Sequence, residues 1–277
     1  MRLLPRRLAH GEEATLVEHL GELRTRIVFC LIAVAVTTSV AYAFHGTLLN
    51  WLNRPLPTVN GHKYHPITID VSEPFLTSFW ISLWTGLLLA LPVVLWQFWG
   101  FFAPAFQKHT QRKVAGFSLF SAVLLLAGIA FGYFVVLDPA IHFLTNFDKT
   151  HYRIDIRAKS YYSFVMLVLV ATAVVFELPV FILALARIGI LPAEKLRRNR
   201  RLGYVLVAAL AVALPGVDPV TTTLEMIPLM ILFEGSIWMV VFFDRVWKRQ
   251  AAERDAAWQR EYGDTLDFGD GIEADAI

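Results

Sequence analysis

Long apolar runs, separated by short polar stretches, set the pattern of this chain. A helix rises about 1.5 Å per residue, so crossing about 30 Å of hydrocarbon takes about 20 mainly apolar residues. Five runs meet or nearly meet that length: Ile27–Phe44, Phe75–Trp96, Val114–Leu137, Tyr161–Ala186 and Thr223–Phe243. A sixth, Leu202–Leu214, is apolar but covers only about 20 Å. It needs a thinned bilayer, flanking polar residues that reach outward, or shelter from neighbouring helices. The pattern predicts an all-α, polytopic membrane helix bundle of six transmembrane helices. Residues 1–26 form a tail and lead-in helix, 27–243 the membrane part, and 244–277 a tail expected to be disordered.

Composition supports this. The chain is 56% hydrophobic and 17% charged, whereas a soluble domain carries about 25% charged residues. One soluble sphere of this size cannot bury so much apolar surface, and the same surplus excludes disorder. Cys30 is the only cysteine, which excludes a disulfide scaffold and zinc sites built on paired cysteines. None of the 25 Lys and Arg falls inside the six runs; 19 lie on one side and 6 on the other. The positive-inside rule then places both termini of this multi-pass protein in the cytoplasm. Were the short run not a span, the C-terminus would move outside with Lys248 and Arg249, a poorer fit. The first run is too long for a cleavable signal peptide and is expected to remain as an anchor.

The polar residues near and within the runs carry the candidate chemistry. Thr15 and Glu18 form a capping-box pattern, so a helix is predicted to begin there. Leu16, Leu20, Leu23 and Ile27 line one face of it, and His19, Glu22 and Arg26 another. Glu22–Arg26 is expected to be an exposed pair contributing about 0–1 kcal/mol. The loop His45–Ser72 is rich in proline, including Pro55, and its three histidines match no strong metal-ligand spacing. Trp96 to Phe102 form an aromatic belt at headgroup level. Gly128 and Gly132 form a small-xxx-small pair that lets helices approach closely.

Glu177 lies about 22 Å of helix beyond Tyr162, in the inner half of the membrane. An ionisable group there is costly, so it either stitches helices together as a hydrogen-bonded acid or meets a partner or substrate. Pro179 is expected to kink the helix nearby. Asp218 reads as a turn or N-cap residue. Glu225 and Glu234 fall on opposite faces of the last run and cannot form one site on their helix. Pro228 adds a possible second kink, and the tail runs from basic to acidic.

Several segments, in order, resemble the TatC family, the multi-span core subunit of the twin-arginine (Sec-independent) protein translocase. They are HLGELRTR (His19 to Arg26), RPL around Pro55, SEPF (Ser72 to Phe75), QFWGFFAPAFQKH (Gln97 to His109) and FGYFVV (Phe131 to Val136). SYYSFVM (Ser160 to Met166), FELPV (Phe176 to Val180), PGVDP (Pro215 to Pro219) and IPLMILFE (Ile227 to Glu234) complete the series. The resemblance implies binding of precursors whose signal peptides carry paired arginines. It implies export of those precursors, already folded, with single-span partner subunits of the TatA and TatB type, driven by the proton-motive force. It implies no enzymatic chemistry, no cofactor, no metal and no nucleic acid, an oligomeric complex in the lipid bilayer, and short fifth and sixth helices that thin the bilayer.

The resemblance places signal recognition on Glu22, with His19 and Arg24 beside it, and on Phe101 in the first cytoplasmic loop. A carboxylate suits a guanidinium because it accepts the planar donor fork bidentately. The family's loop usually has a glutamate directly after the KH pair, where this chain has Thr110. That change reduces a two-carboxylate clamp to Glu22 plus weaker acceptors. Glu177, Thr222 and Glu234 are implied to contact partner membrane helices, with Thr222 standing where some relatives carry an amide. Pro55 and Asp218 are implied to shape the outer loops. A hydrolase is disfavoured, because the histidines lie in tails and loops or, for His142, near an outer end. A proton-coupled small-solute transporter, with Glu177 and Glu234 as relay, is the second reading, although the chain shows no internal repeat.

Overall fold

The computed structural model describes residues 16–59, 62–102, 111–148, 150–151, 155–213 and 218–262. The chain is almost wholly helical. Helix α1 spans Leu16–Ala43, α2 His45–Leu52 and α3 Glu73–Phe102. A two-residue ladder, β1 (Thr58–Val59) with β2 (His62–Lys63), sits in the loop between α2 and α3. Helix α4 (Gln111–Phe131) passes through a π-helical stretch, Gly132–Val136, into α5 (Leu137–Asn146). There follow α6 (Ala158–Phe176), α7 (Leu178–Ile188), α8 (Ala193–Arg198), α9 (Arg200–Ala213) and α10 (Pro219–Tyr262).

Among the described residues, five stretches are long and apolar enough to cross a membrane: Leu20–Ala43, Glu73–Phe101, Gly116–Asn146, Ala158–Ile188 and Pro219–Arg249. The chain is therefore a multi-pass membrane protein. The lead-in segment and the first run are one continuous helix. Helix α9, at 14 residues, stays short. The last helix does not: α10 is 44 residues long and continues helical through Pro228. The expected short sixth helix is corrected, because the apolar run flows without a breaker into a polar helix. Residues 244–262 are accordingly helical, where a disordered tail was expected.

Close approach explains the packing. The Thr37 hydroxyl donates to the Gly86 carbonyl (2.7 Å), tying α1 to α3. On α4, a Cβ at Gly128 would meet the Thr172 carbonyl at 2.7 Å. Gly132 faces the Thr172 side chain as closely, so the small-residue face lies against α6 as the spacing predicts. The α6–α7 crossing is the most enclosed of the five and α1 the least, with 56% and 6% of their apolar windows buried. Hence α6–α7 forms the centre of the bundle.

The break between α6 and α7 falls at Glu177. This residue ends one helix and begins the next (φ −77°, ψ −12°), and its N–H bonds back to Val174 O at 3.1 Å. Pro179 has no N–H and fits the first turn of a new helix. It stands at the start of α7, so the expected kink is a helix restart.

At the end of the bundle holding the α2 loop, three tyrosines secure that loop. Tyr133 donates to Trp51 O (2.8 Å), Tyr161 to Leu52 O (2.6 Å) and Tyr162 to Asn53 Oδ1 (2.8 Å). The last carbonyls of a helix lack intrahelical donors, and tyrosine hydroxyls supply them here. Pro55 lies in the turn that follows.

Candidate functional site

At the opposite end, α1 and α3 meet through three side chains. Arg26 Nε and Nη2 donate to Glu22 Oε1 at 3.0 and 2.6 Å. Arg26 Nη1 donates to the side-chain oxygen of Gln97 (3.0 Å) and to its carbonyl (3.2 Å). A Cβ at Gly100 would meet Arg26 Nη1 at 2.6 Å, so glycine makes room for the guanidinium. The expected exposed pair is thus corrected. Glu22 and Arg26 are half-buried, their side chains 23% and 21% exposed, and join two helices. Sequence spacing shows an i,i+4 pair but cannot show Gln97, which folding brings from 71 positions away.

The other expected recognition residues distribute around this junction. His19 occupies the first turns of α1, and Arg24 is exposed on the same helix. Phe101 is half-buried in the last turn of α3. Thr110 lies outside the described residues. Glu22 Oε1 already holds an arginine from its own chain. The Glu22 carboxylate is therefore positioned, shared with Arg26 and tied through it to α3.

Glu177 is 2% exposed. Its Oε2 accepts from Ser121 Oγ (2.5 Å), and Trp99 Nε1 donates to that same Oγ (3.4 Å). Phe98, Phe117 and Phe181 surround Trp99 edge-on or tilted, with ring centroids 5.0–5.6 Å away. The glutamate thus links α3, α4 and the α6–α7 break behind an aromatic wall. Its Oε1 is buried with no hydrogen-bond partner among the described residues.

The remaining acidic candidates have separate surroundings. Asp218 caps α10: its Oδ1 accepts from Thr221 N (2.8 Å) and its Oδ2 from Thr221 Oγ1 (2.5 Å). The Thr222 hydroxyl donates to the Asp218 carbonyl (2.9 Å). Glu234 accepts from the Tyr204 hydroxyl and lies 3.6 Å from Arg200. No hydrogen bond or ion pair joins Glu234 to Glu177 among the described residues, so the structure does not assemble the relay of the transporter reading. Glu225 is 2% exposed, and neither carboxyl oxygen has a partner among the described residues. It and Glu234 stand in unrelated surroundings, as their opposite faces require. Among the described residues, no group of three potential metal ligands occurs.

Sequence reasoning missed one site. Glu73, at the first turn of α3, is buried and receives Arg157 Nε (2.9 Å) and Nη2 (3.2 Å). It also accepts from the backbone N–H groups of Ile69 (3.0 Å) and Lys159 (3.3 Å). The hydrogen bonds to Glu73, and then its charge, push the Arg157 pKa above the usual value for a guanidinium. The available signal was the acid directly before Pro74 at the start of an apolar run, a helix N-terminal pattern. Its cationic partner lies 84 positions away.

Comparison with known proteins gives a consistent result. The family model described as Sec-independent protein translocase protein (TatC) matches residues 18–228. Sec-independent protein translocase protein TatC of Escherichia coli (strain K12) is 37% identical over 242 residues, 87% of this chain and 92% of that protein. Its counterpart in Carboxydothermus hydrogenoformans is 35% identical over 229 residues, 82% of this chain and 93% of that protein. A crystal structure of the twin arginine translocase receptor TatC, in DDM, matches with a TM-score of 0.70 at 31% identity, over 80% of this chain and 98% of that one.

Proposed function

The chain belongs to the TatC family of Sec-independent protein translocase proteins, and from that premise we propose that it is the receptor subunit of a twin-arginine translocase. It binds the paired arginines of a precursor's signal peptide at the cytoplasmic end of α1 and α3. Single-span subunits of the TatA and TatB type then join it, and the folded precursor crosses the inner membrane at the expense of the proton-motive force. The chain works by binding and assembly rather than covalent chemistry. Both termini face the cytoplasm, with α9 as the short fifth of six crossings, where it thins the bilayer.

The observation that most supports this reading is the Glu22–Arg26–Gln97 junction. It holds a carboxylate at the membrane boundary, already shaped around one guanidinium. Arginine's planar fork can share such a carboxylate bidentately, and lysine's point charge cannot. A charge-assisted hydrogen bond in this half-dehydrated setting contributes about 1.5–3 kcal/mol. Thr110 supplies a neutral acceptor in the loop, and Phe101 an apolar contact.

The test is site-specific photocross-linking in native membranes, with probes at Glu22 and Thr110 and a twin-arginine precursor set against its twin-lysine form. Cross-links that vanish with twin-lysine support recognition here. Their absence at both positions, with the protein correctly inserted, moves recognition elsewhere. Glu22→Ala is expected to weaken precursor binding more than Glu18→Ala; equal binding by both variants removes Glu22 from the site. Thr110→Glu is expected to tighten binding, and unchanged or weaker affinity would show that the loop is not a carboxylate clamp.

A further inference from the structure

Between α3 and α6, at the end of the bundle opposite Glu22, lies a groove of about 550 Å³. Its mouth carries Asp70, Glu73, Arg157 and Lys159. Its apolar length is walled by Leu76, Trp80 and Trp84 on α3, and by Met166, Leu167 and Val170 on α6. The floor is closed: Ile81, Tyr162 and Met166 are buried. The rim is open: Trp80, Leu167 and Ser163 are exposed. The groove therefore opens sideways, onto whatever surrounds the bundle.

Its length is informative. Glu73 to Trp84 along α3 and Lys159 to Val170 along α6 each cover roughly 16 Å of helix. One leaflet of hydrocarbon is about half of a 30 Å core. The groove thus starts at the polar boundary of a span and ends near the bilayer midplane, the reach of one acyl chain.

The mouth is equally specific. Glu73 neutralises Arg157, whose side chain remains 41% exposed. Lys159 and Asp70 are exposed, and neither makes a side-chain ion pair among the described residues. The opening therefore carries one exposed cation and one exposed anion. An anionic headgroup would satisfy only the first, and a quaternary ammonium would bring no N–H for the carboxylate. A phosphate diester carrying a primary ammonium satisfies both.

We infer that this groove binds one phospholipid with a phosphoethanolamine headgroup. Its phosphate lies on Lys159 and the exposed part of Arg157, its ammonium on Asp70, and one acyl chain along Trp80, Trp84 and Leu167. The site is separate from the Glu22 junction and stands whether or not signal recognition occurs there.

Native mass spectrometry of the full chain tests this. The protein is released from nanodiscs holding phosphatidylethanolamine, phosphatidylcholine and phosphatidylglycerol in equal parts with matched acyl chains. One retained phosphatidylethanolamine per chain is expected. Lys159→Ala lowers its retention about tenfold, the loss of one charge-assisted contact. Asp70→Asn removes the preference over phosphatidylcholine. Ser163→Trp, on the exposed rim, fills the groove and abolishes retention without changing the helical circular dichroism. Glycerophosphoethanolamine, the headgroup without chains, does not displace the lipid. Equal retention of all three lipids, retention untouched by Ser163→Trp, or displacement by the bare headgroup each overturns the inference. A groove that retains no lipid in the wild-type chain overturns it too, and leaves a protein segment as the occupant to seek.

Discussion

At Glu177, one carboxyl group connects three helical segments. Through Ser121 it reaches α4, and through the same hydroxyl it reaches Trp99 on α3. Of the two roles open to an acid in a span, stitching has the geometry, because the side chain is enclosed. Ser121→Ala removes the only donor seen on Glu177 among the described residues. Leaving a buried acceptor unsatisfied costs about 1–3 kcal/mol, so detergent-solubilised Ser121→Ala should unfold at lower temperature. Glu177→Gln keeps an oxygen for Ser121 and should stay within about 1 kcal/mol of wild type. A Ser121→Ala protein as stable as wild type would show that the contact is not structural. Glu177→Ala should leave signal binding largely intact and reduce transport; loss of insertion or folding would assign the residue to stitching alone.

Among the elements, the contact of α4 with α6 depends on the absence of side chains. At Gly128 a methyl group would strike the Thr172 carbonyl, whereas at Gly116 on the same helix nothing lies within 4 Å. Gly128→Ala should therefore destabilise by about 1–3 kcal/mol through overpacking. Gly116→Ala should stabilise by up to about 1 kcal/mol through helix propensity. Thermal unfolding of the two variants in one detergent compares them directly, and equal shifts would mean that the helices do not meet as closely as described. The spacing of Gly128 and Gly132 made the close approach legible in advance. The partner helix was not legible, because a small-residue face fits any helix with a complementary surface. The same holds for SYYSFVM: its apolar length predicts a span, but only folding brings the Tyr161 hydroxyl to the Leu52 carbonyl, 109 positions earlier.

On the scale of the whole molecule, the direction of insertion rests on charge. With Cys30→Ala as background, Val71→Cys places a thiol on a residue 99% exposed beyond the α2 loop. An impermeant maleimide should label it in intact cells. Arg24→Cys and Trp258→Cys should react only after lysis. Labelling of the Trp258 position in intact cells would mean that α9 does not cross, and labelling of the Arg24 position would reverse the molecule. The distribution of 19 against 6 basic residues is what predicts this arrangement.

Apolar length, charge placement and the order of short motifs determined, from sequence alone, a helical membrane bundle of the TatC family. These properties are local: a residue's transfer into lipid, or its place in a loop, depends little on which distant residue it will meet. The tertiary structure alone decided the pairings. It joined Arg26 to Gln97, Glu177 to Ser121 and Glu73 to Arg157. A polar group withdrawn from water must find a hydrogen-bond partner, but many distant residues can satisfy that need. Which one does so depends on how the helices pack together.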